Sequence, residues 1–98
     1  MTKILRKPRI EGECDSKGQW LPKKQLLGQS YIQHPEPGFY RVIHNLNKMY
    51  NVGTSLLGKQ GTVEIFNITL ISFDVNIKLN GTPVDIPFHM TLSEAEIG

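Results

Sequence analysis

Residues 71–90 read ISFDVNIKLNGTPVDIPFHM, and this stretch decides the fold. At its centre stands Asn80-Gly81. Both central residues of a type I′ turn need φ > 0, so this dipeptide is a strong hairpin signal. Before the turn, Ile71, Phe73, Val75, Ile77 and Leu79 alternate with Ser72, Asp74, Asn76 and Lys78. After it, Val84, Ile86, Phe88 and Met90 alternate with Pro83, Asp85, Pro87 and His89. A period of two belongs to a strand with one buried face. The pattern predicts a C-terminal β-hairpin with strands near 71–79 and 82–90.

A two-residue loop sets the register. Leu79 then faces Thr82, Ile77 faces Val84, Val75 faces Ile86, Phe73 faces Phe88 and Ile71 faces Met90. A one-residue slip would oppose apolar to polar side chains, and each matched pair adds about 0.2–1 kcal/mol over alanines. Pro83 and Pro87 fall opposite Lys78 and Asp74, at positions whose N–H would serve a further strand. Residues 82–90 are therefore expected to form an edge strand blunted by proline.

Working back along the chain, Thr62 to Leu79 is too long for one straight strand at about 3.3 Å per residue. Phe66, Ile68 and Leu70 also shift the alternation, so a bend, a bulge or a change of sheet is expected near 67–70. Phe39 to Asn45 reads as a strand with Tyr40, Val42 and His44 on one face. Residues 46–61 are mixed. His34-Pro35-Glu36-Pro37-Gly38 is turn chemistry that excludes regular structure. Ser93-Glu94-Ala95-Glu96 has the capping-box pattern for a single helical turn.

The expected architecture is all-β: a small antiparallel sandwich or partly open barrel of about five to seven strands. Residues 39–98 form the β-domain, and residues 1–38 form an extended basic N-terminal arm. The 98 residues make one domain with a modest core and no room for a deep cofactor cavity, so no cofactor is implied. No apolar run approaches the roughly 18 residues of a membrane span. The basic start (Lys3, Arg6, Lys7, Arg9) leads into no apolar leader, so a soluble, cytoplasmic protein is expected. Cys14 stands alone, without a disulfide partner or a cysteine-based zinc site.

The net charge of +2 conceals an asymmetry. Residues 1–24 hold seven Lys or Arg against three acidic residues, while residues 62–98 set only Lys78 against five acids. A basic front and an acidic back suit an anionic partner or head-to-tail contact between copies.

Motifs for catalysis are weak. Gly53 to Lys59 approaches a phosphate-binding loop, but Gln60 stands where Ser or Thr must hold magnesium, and no helix follows. His34, His44 and His89 lack metal-ligand spacing, and Asp85 lies about 13 Å from His89 at strand rise. Cys14 sits between Glu13 and Asp15, which oppose thiolate formation. Asp74 and Asp85 share a hairpin face without the walls of a cleft. The chain is accordingly read as non-enzymatic.

The arm carries the functional reading. Trp20, Leu26, Leu27 and Tyr31 are spaced apolar anchors, and Arg6, Lys7, Arg9, Lys23 and Lys24 are candidate charged contacts. The plainer alternative is that these anchors cover the domain's own core. The preferred expectation is a structural or protein-binding subunit of a larger assembly, its partner another protein or copies of itself. Small phage and virion components offer an analogy at the level of fold. The alternative is a small nucleic-acid-binding β-barrel that uses the same basic residues, with Trp20 stacking on a base.

Overall fold

The computed structural model describes residues 10–26, 29–58 and 60–93. Its strands are β1 (Ile10–Cys14), β2 (Tyr31–Glu36), β3 (Phe39–Ile43), β4 (Asn51–Leu56), β5 (Thr62–Phe66), β6 (Ser72–Leu79), β7 (Thr82–Pro83) and β8 (Phe88–Ser93). No helix occurs among the described residues. Two antiparallel sheets form, a smaller one in the order β1-β8-β4 and a larger one in the order β2-β3-β6-β5, with β7 also on β6. The all-β sandwich expected from the alternation is the observed class.

Strand periodicity explains the core. In the larger sheet Tyr40 pairs with Val75, Val42 with Phe73, and Val63 with Ile77, so one face is apolar throughout. In the smaller sheet Ile10, Leu92 and Val52 share one row, and Cys14, Phe88 and Leu56 share another. The two faces close on one cluster in which Tyr40, Phe73, Phe88, Met90 and Leu92 are fully buried. Tyr40 stands at its heart, edge-on to Phe88 at 5.2 Å and stacked on His34 at 4.2 Å. Its hydroxyl donates to Ser16 O at 2.7 Å, which ties the loop after β1 to the core.

The hairpin forms only in part. Asn80 and Gly81 take φ of 52° and 82°, and Leu79–Thr82 and Lys78–Pro83 pair as expected. The ladder then stops, and residues 82–90 are not one edge strand. β3 occupies the same side of β6 from Asn76 to Ser72, where the second hairpin strand was expected. Ile77 marks the handover: its N–H donates to Gly38 O at 2.8 Å, while its C=O accepts from Val84 N at 3.1 Å. Beyond Val84 the chain crosses to the other sheet, where β8 becomes the central strand. Ile86, Phe88 and Met90 point inward as the alternation predicts, but Phe88 and Met90 do so from a different sheet from the one predicted. The bend expected near 67–70 is a full reversal, which makes β5 and β6 neighbours in one sheet.

The segment expected to be an arm through residue 38 supplies β1 and β2. β1 lacks a visible alternation because its inward positions after Ile10 are Gly12 and Cys14. That bulk comes instead from Leu26 and Trp20, both 3.0 Å from a Cβ built on Gly12. β2 runs through Pro35, which sits in a register shift between Gln33 and Glu36, where proline removes no ladder bond. In β4 the alternation is diluted by Gly53, Thr54 and Ser55. Half of the phosphate-loop-like segment is therefore strand. Most of the capping-box segment, residues 94–96, lies outside the described residues.

Gly38 is the most crowded of the described glycines. It takes φ of 74°, and a Cβ there would lie 2.5 Å from Ile77 O and 3.0 Å from Val84 N. Gly38→Ala combines left-handed strain with a backbone collision and should cost about 3 kcal/mol or more in urea unfolding. Gly81→Ala at φ of 82°, with nothing near its Cβ, serves as the control. It carries only the conformational term and should cost about 1–2 kcal/mol.

Candidate interaction surface

The residues expected to contact a partner separate into three groups. Arg6, Lys7, Arg9 and Leu27 lie outside the described residues. Leu26 and Trp20 are used internally: Leu26 is 1% exposed in the core, and Trp20 packs half-buried against it. The Trp20 indole N–H donates to Ser30 O at 3.3 Å, the Gln25 amide reaches the same oxygen at 2.9 Å, and the Ser30 hydroxyl closes on Leu26 O at 2.8 Å. For these two anchors the plainer reading holds. Lys23, Lys24 and Tyr31 remain exposed. Lys23 and Lys24 ride on a loop held against β1, since the Glu13 N–H donates to Lys24 O at 3.0 Å. Tyr31 opens β2 in the larger sheet and is 50% exposed.

One end of the larger sheet gathers exposed apolar side chains that the alternation did not single out. Tyr31, Met49, Ile68, Leu70 and Ile71 are all exposed. Backbone bonds place their segments together. The N–H groups of His44 and Asn45 donate to Ile71 O at 2.7 and 3.1 Å, and that of Lys48 to Leu70 O at 2.9 Å. Tyr31 pairs with Ile43, which pairs with Ser72 beside Ile71. Thr69 holds the loop, its hydroxyl accepting the N–H of Ile71 and of Ser72 at 3.1 and 3.0 Å. The available signal was the run Ile68-Thr69-Leu70-Ile71, which reads as strand until the chain reverses there.

Several ionisable groups pair with one another. Asp74, expected on a solvated face, is 1% exposed. Arg41 grips it with two bonds of 2.8 and 3.2 Å, and the Asn67 amide donates at 3.0 Å. Burial alone would raise its pKa, but the bonds from Arg41 and Asn67 and the Arg41 charge outweigh burial and hold the carboxyl below the usual range. Asp85 is not beside it, because the hairpin does not extend that far. Its Oδ1 accepts the Gly38 N–H at 2.8 Å and lies 3.1 Å from His34 Nε2. There too burial raises the pKa, and Gly38 and His34 more than offset it.

His34 and His89 each use both ring nitrogens. His34 Nδ1 lies 2.8 Å from Phe39 O, opposite its Asp85 contact. His89 sits between Glu13 at 3.0 Å and Glu11 at 3.1 Å on the outer face of the smaller sheet. Each ring nitrogen of these two residues therefore lies within hydrogen-bonding distance of an oxygen acceptor. His44 is buried among Tyr50 and Phe73, and its Nδ1 accepts the Leu46 N–H at 3.1 Å. Burial pushes its pKa down. Cys14 is fully buried and its thiol is pushed up to about 12, by burial first and the Asp15 charge second, against an opposing bond from the Gly18 backbone. Among the described residues no three His, Cys, Asp or Glu are grouped to hold a metal ion, and no helix is long and apolar enough to cross a membrane.

No protein-family model matches the chain, and no curated protein or solved structure matches it either.

Two measurements check these environments. His44 binds its proton less readily folded than unfolded, so its contribution is complete above about pH 6.5 and is lost as pH falls towards its depressed folded value. His44→Asn, which keeps an acceptor for the Leu46 N–H, should flatten the fall in urea midpoint between about pH 7.5 and 5.5. Cys14 should react with a thiol reagent at least about a hundredfold more slowly in the native protein than in urea at the same pH.

Proposed function

We propose that this chain is a non-enzymatic, protein-binding subunit of a larger assembly. Its partner docks on the apolar end around Tyr31, and the N-terminal region contributes the flanking charged contacts of Lys23 and Lys24. The observation that carries the reading is the set of five large apolar side chains, Tyr31, Met49, Ile68, Leu70 and Ile71, left in water at one end of the larger sheet. Single exposed apolar residues are ordinary on any protein, but a group of them on segments joined by backbone bonds is the composition of an interface centre. The loop carrying Leu70 and Ile71 is held by hydrogen bonds of Thr69 to Ile71 and Ser72, so these side chains are already positioned for contact. Rings and aliphatic groups of this kind supply most of the energy in protein contacts, with lysines at the rim adjusting association rate.

The test is reconstitution with a protein partner recovered stoichiometrically on the tagged full chain. Tyr31→Ser with Leu70→Ser should weaken the purified complex by about tenfold or more, as loss of central anchors does. Lys23→Ala with Lys24→Ala should change mainly the association rate and its salt dependence. Unchanged affinity in the Tyr31/Leu70 variant would sink the proposal. Tight oligonucleotide binding that falls steeply with salt and is lost with Lys23 and Lys24 would replace it with nucleic-acid recognition.

A further inference from the structure

An open sheet edge is a row of unpaired backbone groups able to receive another strand. The two sheets have edges at β1, β4, β2 and β5. β1 is covered, because the Glu13 N–H donates to Lys24 O, the Leu21 N–H donates to Glu13 O, and Cys14 bridges Trp20. β2 is interrupted by its bulge and carries Pro35. β5 has Glu64 at its middle. β4 has no proline, no register shift and no charged side chain.

The ladder shows which β4 groups are free. The Leu57 N–H donates to Pro87 O at 2.8 Å, which continues the β4–β8 pairing one step past Leu56 and Phe88. Hydrogen-bonded positions recur every second residue, so Ser55, Gly53 and Asn51 turn their backbone groups towards β8. Val52, Thr54 and Leu56 turn theirs away, and no described residue bonds them. An open groove lined by Thr54, Leu56, Gly61 and Val63 runs beside this edge.

We propose that the β4 edge pairs antiparallel with the β4 edge of a second copy, about a twofold axis at Thr54. In that register Thr54 faces its own copy, Val52 faces Leu56, and Gly53 faces Ser55. The three outward residues of each strand then exchange about six hydrogen bonds across the axis. Side chains agree on both faces: Val52 meets Leu56 on the inner face, and small residues meet on the outer one. A twofold contact brings each side chain near its own copy, so charge decides between the open edges. β4 is neutral along its length, whereas β5 would set Glu64 against itself. The product is a six-stranded sheet shared by two copies. This contact is separate from the apolar end around Tyr31 and does not rest on the function proposed above.

Sedimentation equilibrium of the full chain tests it. A reversible dimer of twice the 11.1 kDa chain mass is expected. Thr54→Pro removes the N–H at the axis but no bond to β8, so it should leave the circular dichroism unchanged and weaken the dimer by about tenfold or more. Thr54→Cys places two thiols across the axis at a Cα separation of about 5.5 Å, so mild oxidation should link the copies. A chain monomeric to about 1 mM, a dimer that Thr54→Pro leaves intact, or a Thr54→Cys dimer that does not cross-link would overturn the proposal. A monomer whose Val52, Thr54 and Leu56 amides resist hydrogen exchange would overturn it as well, and would assign the edge to another segment of the same chain.

Discussion

The backbone of Ile77 serves two strands at once, and the topology depends on that division. Its N–H is taken by Gly38 at the start of β3, and its C=O by Val84 after β7. One side of a strand accepts one partner at each residue. Because β3 fills the side of β6 from Asn76 to Ser72, the chain leaving the Asn80-Gly81 turn has nowhere to pair beyond Val84. It crosses instead to the smaller sheet, past Pro87, which has no N–H to offer a ladder. Gly38 fits this junction because it has no side chain. Asp85 fastens the junction by accepting the Gly38 N–H while lying against His34.

How much of this can be read from the chain depends on how local each cause is. Asn80-Gly81 and the first two pairs of the hairpin are set by adjacent residues and are legible. The competition for β6 is settled by Gly38, far away in sequence, and nothing near residue 84 announces it. β1 is hidden because Trp20 and Leu26 supply the bulk that Gly12 and Cys14 lack. β2 is hidden because Pro35 reads as a breaker when it sits in a bulge. The candidate surface divides in the same way. Lys23, Lys24 and Tyr31 are exposed as their types suggest. Trp20 and Leu26 were expected to anchor a partner and instead cover the chain's own core, a distinction that residue type does not make. Leu70 and Ile71 turn outward only because the chain reverses at Asn67, which takes φ of 52°.

Polar contacts join parts of the chain that local preferences would leave unrelated. His89 reaches Glu13 across 76 residues, Gly38 reaches Asp85 across 47, and Arg41 reaches Asp74 across 33. Each of these contacts fits one register and mismatches its neighbours. Buried Asp74 illustrates the point: slipping β6 by one residue against β3 would leave its carboxylate without Arg41 and press it among apolar groups. The apolar clusters hold the two sheets together, and the polar pairs select which residues face one another.

The central place of β8 also bears on the order in which the molecule is made. Within the smaller sheet β1 and β4 pair only with β8, which is the last of the described strands. During synthesis β2, β3, β5 and β6 emerge with their partners close at hand, whereas β4 emerges with none and β1 with only the loop of residues 20–24. The nascent chain carries both strands without their sheet partner until β8 appears, and during that interval the bare β4 is the more open to pairing with the wrong molecule.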